Sequence, residues 1–263
     1  MRCGIAVWTF RQPGVTLCNL IERFAGMGFE AVSCQPKQIL ELDGNETRDL
    51  TDLLRDHSLK MTVHASFELA ADEAGRLLEV LGDALLCLTF DAARTTDSIG
   101  TFFDAARMAA LLGDVRRLDG AGNLKLAVED FPLDVRAMAH YRDELGDLAN
   151  DPNYGTLIDI GHMNIRLRRE PYFAALSVRD YLAAPPRPIV EVHLHDNDGT
   201  KDSHGHFGFG NVDFAAVAAG LRAVGFDGVA TIEIAPRFHG STPETSLPLT
   251  AESLATWRRL WPS

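Results

Sequence analysis

The chain is short of basic residues: 25 Lys and Arg stand against 37 Asp and Glu, a formal net charge of -12 at pH 7. A protein that wraps nucleic acid or lies on an anionic membrane leans the other way, so neither partner is expected. Long apolar runs are missing as well. No stretch approaches the roughly 18 residues that a membrane-spanning helix needs. The N-terminal MRCGIAVWTFRQPG has neither the long apolar run nor the small-residue cleavage site of a secretory leader. Cysteine is sparse, and Cys3, Cys18, Cys34 and Cys87 include no Cys-x-x-Cys pair. That pattern reads as reduced thiols in a cytoplasmic protein. No linker, charge run or low-complexity stretch interrupts the 263 residues, so one domain spanning 1–263 is expected. A chain of this length buries roughly 75% of its unfolded surface and needs no disulfide or structural metal to fold.

Eight short, often β-branched apolar runs are present: 4–10, 31–35, 61–65, 84–90, 125–131, 156–162, 189–196 and 228–234. They recur about every 32 residues, close to the roughly 30 residues of a βα unit. Amphipathic segments lie between them. Residues 15–29 and 212–226 carry helical spacing and end near a Gly, and 97–120 reads as one long helix starting at an Asp/Ser cap. Near-continuous apolar strands alternating with helices imply a parallel sheet covered on both faces. Eight such units point to an α/β fold, a single (β/α)8 TIM barrel. A doubly wound open sheet is the alternative, but no GxGxxG turn follows the first strand.

In such a barrel the chemistry sits at the C-terminal ends of the strands. The third run ends near His64, the fifth in Glu129 and Asp130, and the sixth in Asp159 and His162. The seventh ends in His193, His195 and Asp196, and the eighth carries Glu233. Alternation decides which face each residue takes. Val190, Val192 and Leu194 suit the helix layer, so Glu191, His193 and His195 point to the barrel axis. By the same parity Glu129, Asp159, Thr231 and Glu233 point inward. Four consecutive strands thus aim Glu129, Asp159, His193 and Glu233 at one spot. Three carboxylates that close repel one another unless a cation lies among them. Oxygen ligands with one imidazole suit Mn, Mg or Co, with Zn tolerated.

At these residues the chain resembles the xylose isomerase-like TIM barrel superfamily, which groups sugar isomerases and epimerases with endonuclease IV-type enzymes. The resemblance runs over essentially the whole chain. Its matching pieces are AVEDFP, LIDIGHMN, VHLHDNDGTKDSHGHFGFGNVDF and TIEI. It implies a divalent metal on Glu129, Asp159, His193 and Glu233. His193 is preferred to His195 because the family's ligand stands three residues before an acidic one, here Asp196. The resemblance also implies that His162 touches substrate and that Glu129 and Glu233 form the acid/base pair. Two features of the ketose epimerases are absent: a second Glu six residues after the first, where this chain has Val135, and an Arg beyond the His ligand. Free ketohexoses are therefore disfavoured. Endonuclease IV-type enzymes add further metals on a His of strand 3, a His of strand 4, and an Asp-x-His pair after strand 7. Here His64, His162, Asp202 and His204 are available for a second metal or for substrate, whereas strand 4 ends LTFDAAR without a His.

Weaker signals surround these. The glycines of HFGFGNVDF precede a helix start near Asp213, where backbone N–H groups could meet an anion or simply make a turn and a cap. Lys201 and Arg237 could pair with a phosphate or carboxylate, and His195 could contact substrate. Trp8 and Phe10 close the first strand and could stack on a sugar face or pack in the core. Phe131, Phe207 and Phe209 could wall the pocket. The expected activity is a metal-dependent isomerase or epimerase acting on a small polyhydroxylated substrate, with a dehydratase sharing its first step. The alternative is a phosphodiesterase acting on abasic DNA. Related barrels often pair, which allows a homodimer.

Overall fold

The computed structural model of the chain describes residues 1–96, 101–129, 151–185 and 187–262. Eight strands close a parallel barrel: β1 (Arg2–Ala6), β2 (Ala31–Cys34), β3 (Lys60–Ala65), β4 (Leu85–Phe90), β7 (Lys125–Glu129), β8 (Tyr154–Asp159), β9 (Ile189–Leu194) and β10 (Val229–Ile232). Around the barrel the order is β1-β10-β9-β8-β7-β4-β3-β2. A small antiparallel hairpin, β5 (Arg94–Thr96) and β6 (Thr101–Phe103), follows β4 outside the barrel. All eight sequence runs supply a barrel strand, so the closed (β/α)8 architecture is the one found.

Helices occupy the intervals: α1 (Leu17–Gly26), α2 (Pro36–Leu40), α3 (Gly44–Asp56), α4 (Ala71–Leu81), α5 (Ala105–Arg116), α6 (Ile160–Arg169), α7 (Val178–Ala183), α8 (Phe214–Ala223) and α9 (Pro243–Leu260). Their starts are set locally. Thr16, Asp43, Asp213 and Thr242 each cap a helix by accepting a backbone N–H in its first turn. The segment read as one helix from 97 behaves differently. Its described part forms β6 before the helix opens at Asp104, whose side chain accepts from the Arg107 N–H. A competing N-cap inside the amphipathic run sets the later start. Among the described residues, no helix is long and apolar enough to cross a membrane.

Several strands stop earlier than their apolar runs. The first ends at Ala6, and Val7–Phe10 turn as a 3-10 helix. The sixth ends at Asp159, where α6 begins. One parity assignment also changes. Val192 and Leu194 join the main core, but Val190 packs with Cys87, Ala127 and Leu157 in a separate cluster. The β8–β9 register shifts between Thr156 and Leu157, and a one-residue slip reverses the facing of the residues beside it.

Candidate active site at the C-terminal mouth

Asp159 is the last residue of β8 and the N-cap of α6, its Oδ1 accepting from the His162 N–H at 2.8 Å. The cap fixes the carboxylate where the strand meets the helix and brings His162 back over it. Register sets Asp159 beside His193 on β9, and His193 beside Thr231 on β10. Glu129 ends β7, and Glu233 follows β10, its N–H donating to the Leu194 carbonyl at 3.0 Å.

The carboxylates do not face one another bare; imidazoles interleave them. Glu129 Oε1 lies 3.2 Å from His162 Nδ1, and its Oε2 lies 3.4 Å from His64 Nε2. Glu233 Oε2 lies 2.9 Å from His193 Nδ1. Asp159 Oδ1 lies 2.9 Å from His195 Nε2. Asp202 lies 3.4 Å from His162 Nε2 and 2.9 Å from His204 Nε2. Trp8 sits over this array, its ring 5.9 Å from His64 and 6.0 Å from His193.

The charges shape one another. Burial pushes Asp159 up, but His162, His195 and His193 outweigh it and hold the carboxyl well below its ordinary value. Burial likewise opposes ionisation of Glu233, and His204 and His193 bring it down to about 2. Burial disfavours the charged form of His193, yet Glu233 and Glu191 raise it well above the usual imidazole range. His162 is raised in the same way by Asp159, Asp202 and Glu129 against its burial. His204 reaches about 9, with burial offset by Glu233 and Asp202.

Among the described residues, three groups of ligating atoms each lie within 4.8 Å of one another: Glu129, Asp159 and His193; His162, His195, Asp202 and His204; and His64, Asp91 and Glu129. Glu233 adjoins the first through His193. His195, expected only as a substrate contact, falls in the second group and stacks on His204 with ring centroids 4.1 Å apart. Asp91 escaped the sequence reading. It stands in the LTFDAAR stretch just past β4, where a His was sought, and takes His64 Nε2 at 2.9 Å.

Two N–H groups of the glycine-rich loop are turned to a carboxylate of the chain rather than to an outside anion. Asp196 takes them, Oδ2 from the Gly208 N–H at 2.9 Å and Oδ1 from the Val212 N–H at 3.0 Å. The turn-and-cap reading holds there, and the loop is closed by its own carboxylate. Asn164 fastens the same loop, donating to the Asn197 and Asn211 side chains at 3.0 Å each. Sequence reasoning passed over these asparagines because nothing in their spacing marks them. Lys201 is exposed, and exposed Arg237 covers Phe238. Phe238 in turn lies 5.5 Å from His204. Phe10 packs on Phe24 in the core, and half-buried Phe207 stacks on Phe214 against the core. Phe209 is exposed beside His206. Asp130, Phe131 and Val135 lie outside the described residues.

The sequence profile described as xylose isomerase-like TIM barrel matches residues 21–260. Among curated proteins, an uncharacterized protein of Methanocaldococcus jannaschii is 30% identical over 113 residues, 42% of this chain and 36% of that protein. The match thus spans about a third of that relative's length. Among solved structures, D-psicose 3-epimerase with D-tagatose from Clostridium cellulolyticum H10 superposes with a TM-score of 0.72 at 13% identity, covering 99% of each chain. A D-allulose 3-epimerase from Methylomonas sp. in complex with D-allulose gives 0.72 at 17%, covering 99% of this chain and 97% of that one. The IolI protein with a binding zinc atom gives 0.69 at 15%, covering 100% of both. At such identities the likeness establishes the fold.

Proposed function

Because the chain belongs to the xylose isomerase-like TIM barrel family, we propose that it is a metal-dependent isomerase or epimerase of a small polyhydroxylated substrate, a sugar or sugar phosphate. Glu129, Asp159, His193 and Glu233 would hold one divalent ion. The donor set fits one: oxygen and imidazole atoms converge within 4.8 Å for the first three, and Glu233 lies 2.9 Å from His193. Imidazolium groups give up their protons when a cation replaces them. A bound divalent ion supplies Lewis acidity, polarising a carbonyl and its neighbouring hydroxyl. His162, His195, Asp202 and His204 offer a second ion site, or hydrogen bonds to substrate hydroxyls.

One observation carries the acid/base assignment. The side chains of Glu129 and Glu233 are each 10% exposed, whereas Asp159 is at 1% and His193 at 2%. Within the quartet, the two glutamates are the members that reach the open mouth. One would take the proton beside the carbonyl, and the other would return a proton at the neighbouring carbon or on the opposite face. Trp8 would cover the apolar face of the substrate. The epimerase neighbours with bound ketoses, and the zinc of the IolI protein, support this reading. A dehydratase would begin with the same proton abstraction.

The test is exchange of deuterium from the carbon beside the substrate carbonyl. Wild-type enzyme should wash the label into solvent. Glu129→Gln or Glu233→Gln, with metal content measured in parallel, should slow turnover about 10²- to 10⁴-fold. A metal-replete double variant exchanging at the wild-type rate defeats the mechanism. The second and third ligand groups favour one alternative, a multi-metal phosphodiesterase on abasic DNA. Nicking of such DNA, with no turnover of any sugar or sugar phosphate, would establish it.

A further inference from the structure

Glu191 is fully buried inside the barrel, two residues before His193 on the same inward face of β9. Its Oε1 accepts from Thr62 Oγ1 at 2.8 Å and from Thr231 Oγ1 at 2.7 Å. Thr62 stands on β3, across the barrel from β9, and with its one O–H given to Glu191 it accepts from the Ser33 hydroxyl, 2.7 Å away. The carboxylate is therefore clamped across the barrel axis, one layer below the mouth. Its second oxygen, Oε2, has no hydrogen-bond partner among the described residues.

A buried carboxylate with one oxygen left unpaired is a costly choice. The two threonine hydroxyls do not explain it, because a glutamine oxygen would accept the same two bonds. What a carboxylate adds is negative charge beneath His193. His193 Nε2 stands 3.7 Å from Glu191 Oε1, while Nδ1 on the other side faces Glu233 at 2.9 Å. The ring is strung between a carboxylate below and a carboxylate at the mouth. An imidazole that ligates a metal needs one nitrogen bare and its N–H on the other nitrogen anchored to an acceptor, most often a carboxylate. His193 Nε2 is itself buried and, among the described residues, forms no hydrogen bond, so Glu191 is the carboxylate that faces it.

We infer that Glu191 is a positioning residue: it anchors the N–H of His193 at Nε2 and so turns a bare Nδ1 toward the mouth. The inference rests on the proposed reading of His193 as a metal ligand. It adds a role for a residue that touches neither metal nor substrate, and it assigns the ligating nitrogen.

The test uses the full chain with Co2+ and Zn2+ as probes, their affinities measured by competition with a chelator. Glu191→Gln keeps the size and the two threonine bonds while removing the charge, so the fold should persist. Its metal-free melting temperature should stay level or rise. Its affinity for both ions should fall about 10-fold, within the 10- to 100-fold range that loss of such a ligand support gives. The visible spectrum of the cobalt form should change. Nitrogen NMR of wild-type protein loaded with zinc should show His193 protonated at Nε2, and in the variant that preference should weaken. Thr62→Val, which loosens the clamp but leaves the charge, should give a smaller loss of affinity in the same direction. Wild-type affinities and cobalt spectrum in Glu191→Gln, together with a lowered melting temperature, would overturn the inference and leave Glu191 a cross-barrel tie. A wild-type chain that binds neither ion would overturn the metal reading itself, and this inference with it.

Discussion

The imidazole of His195 occupies the space that a side chain on Gly161 would fill. A β-carbon at 161 would overlap the ring's Cε1, Nε2 and Nδ1. Gly161 lies in the first turn of α6, two residues after the Asp159 cap. Alanine ordinarily stabilises a helix by about 1 kcal/mol over glycine. Here Gly161→Ala should instead destabilise by about 1–3 kcal/mol, the usual cost of overpacking, and push His195 off Asp159. Thermal unfolding checks the sign. Adding His195→Ala should recover much of the loss, a non-additivity expected of groups in contact.

Removing one ligand tests the metal reading. Asp159→Asn keeps an acceptor for the His162 N–H and removes the charge that three imidazoles surround. Wild-type protein dialysed against Mn or Zn should retain metal on elemental analysis, and the variant should retain far less. Equal occupancy in the two would count against the quartet.

The loop bearing Asp202 and His204 depends on Asp196, whose two oxygens take the Gly208 and Val212 N–H groups. Asp196→Ala should cost about 1–3 kcal/mol for the two part-buried hydrogen bonds lost. Asp196→Asn, which retains one acceptor oxygen, should cost less. Hydrogen exchange at Gly208 and Val212 should speed up in the alanine variant.

Metal-free protein should be most stable between about pH 4.5 and 6.5. The imidazoles of His193, His162 and His204 are raised above the ordinary 6.5. Their contribution is complete below that value and is lost as pH rises, for His204 through about 9. Asp159 and Glu233 are lowered from 3.8 and 4.5, so their share is present above those values and lost as pH falls through the lowered ones. Ligation needs neutral imidazoles. The rise in melting temperature on adding Zn2+ should therefore grow from pH 6 to pH 8.5, while the metal-free melting temperature declines.

The strands and the ends that carry polar groups were legible because a buried parallel strand writes itself as a short apolar run. A charged residue at its C-terminal end then has no packing reason to be there. Parity placed Glu129, Asp159, His193 and Glu233 inward, and they are found at one mouth. Parity mis-set Val190, because a register shift between neighbouring strands leaves no mark in either strand's own pattern.

What the sequence determined by itself was local: strand and helix periodicities, capping residues, and the identity of polar groups at strand ends. Each depends on residues a few positions apart. Tertiary structure alone decided which groups meet. Asp91 reaches His64 from a different strand end, 27 residues away. Asp196 takes up the N–H groups of its own loop. Glu191 crosses the barrel to a threonine 129 residues distant. These are through-space pairings between groups 12 to 129 residues apart in the chain. They are fixed by barrel closure and strand register, and no spacing along the chain encodes them.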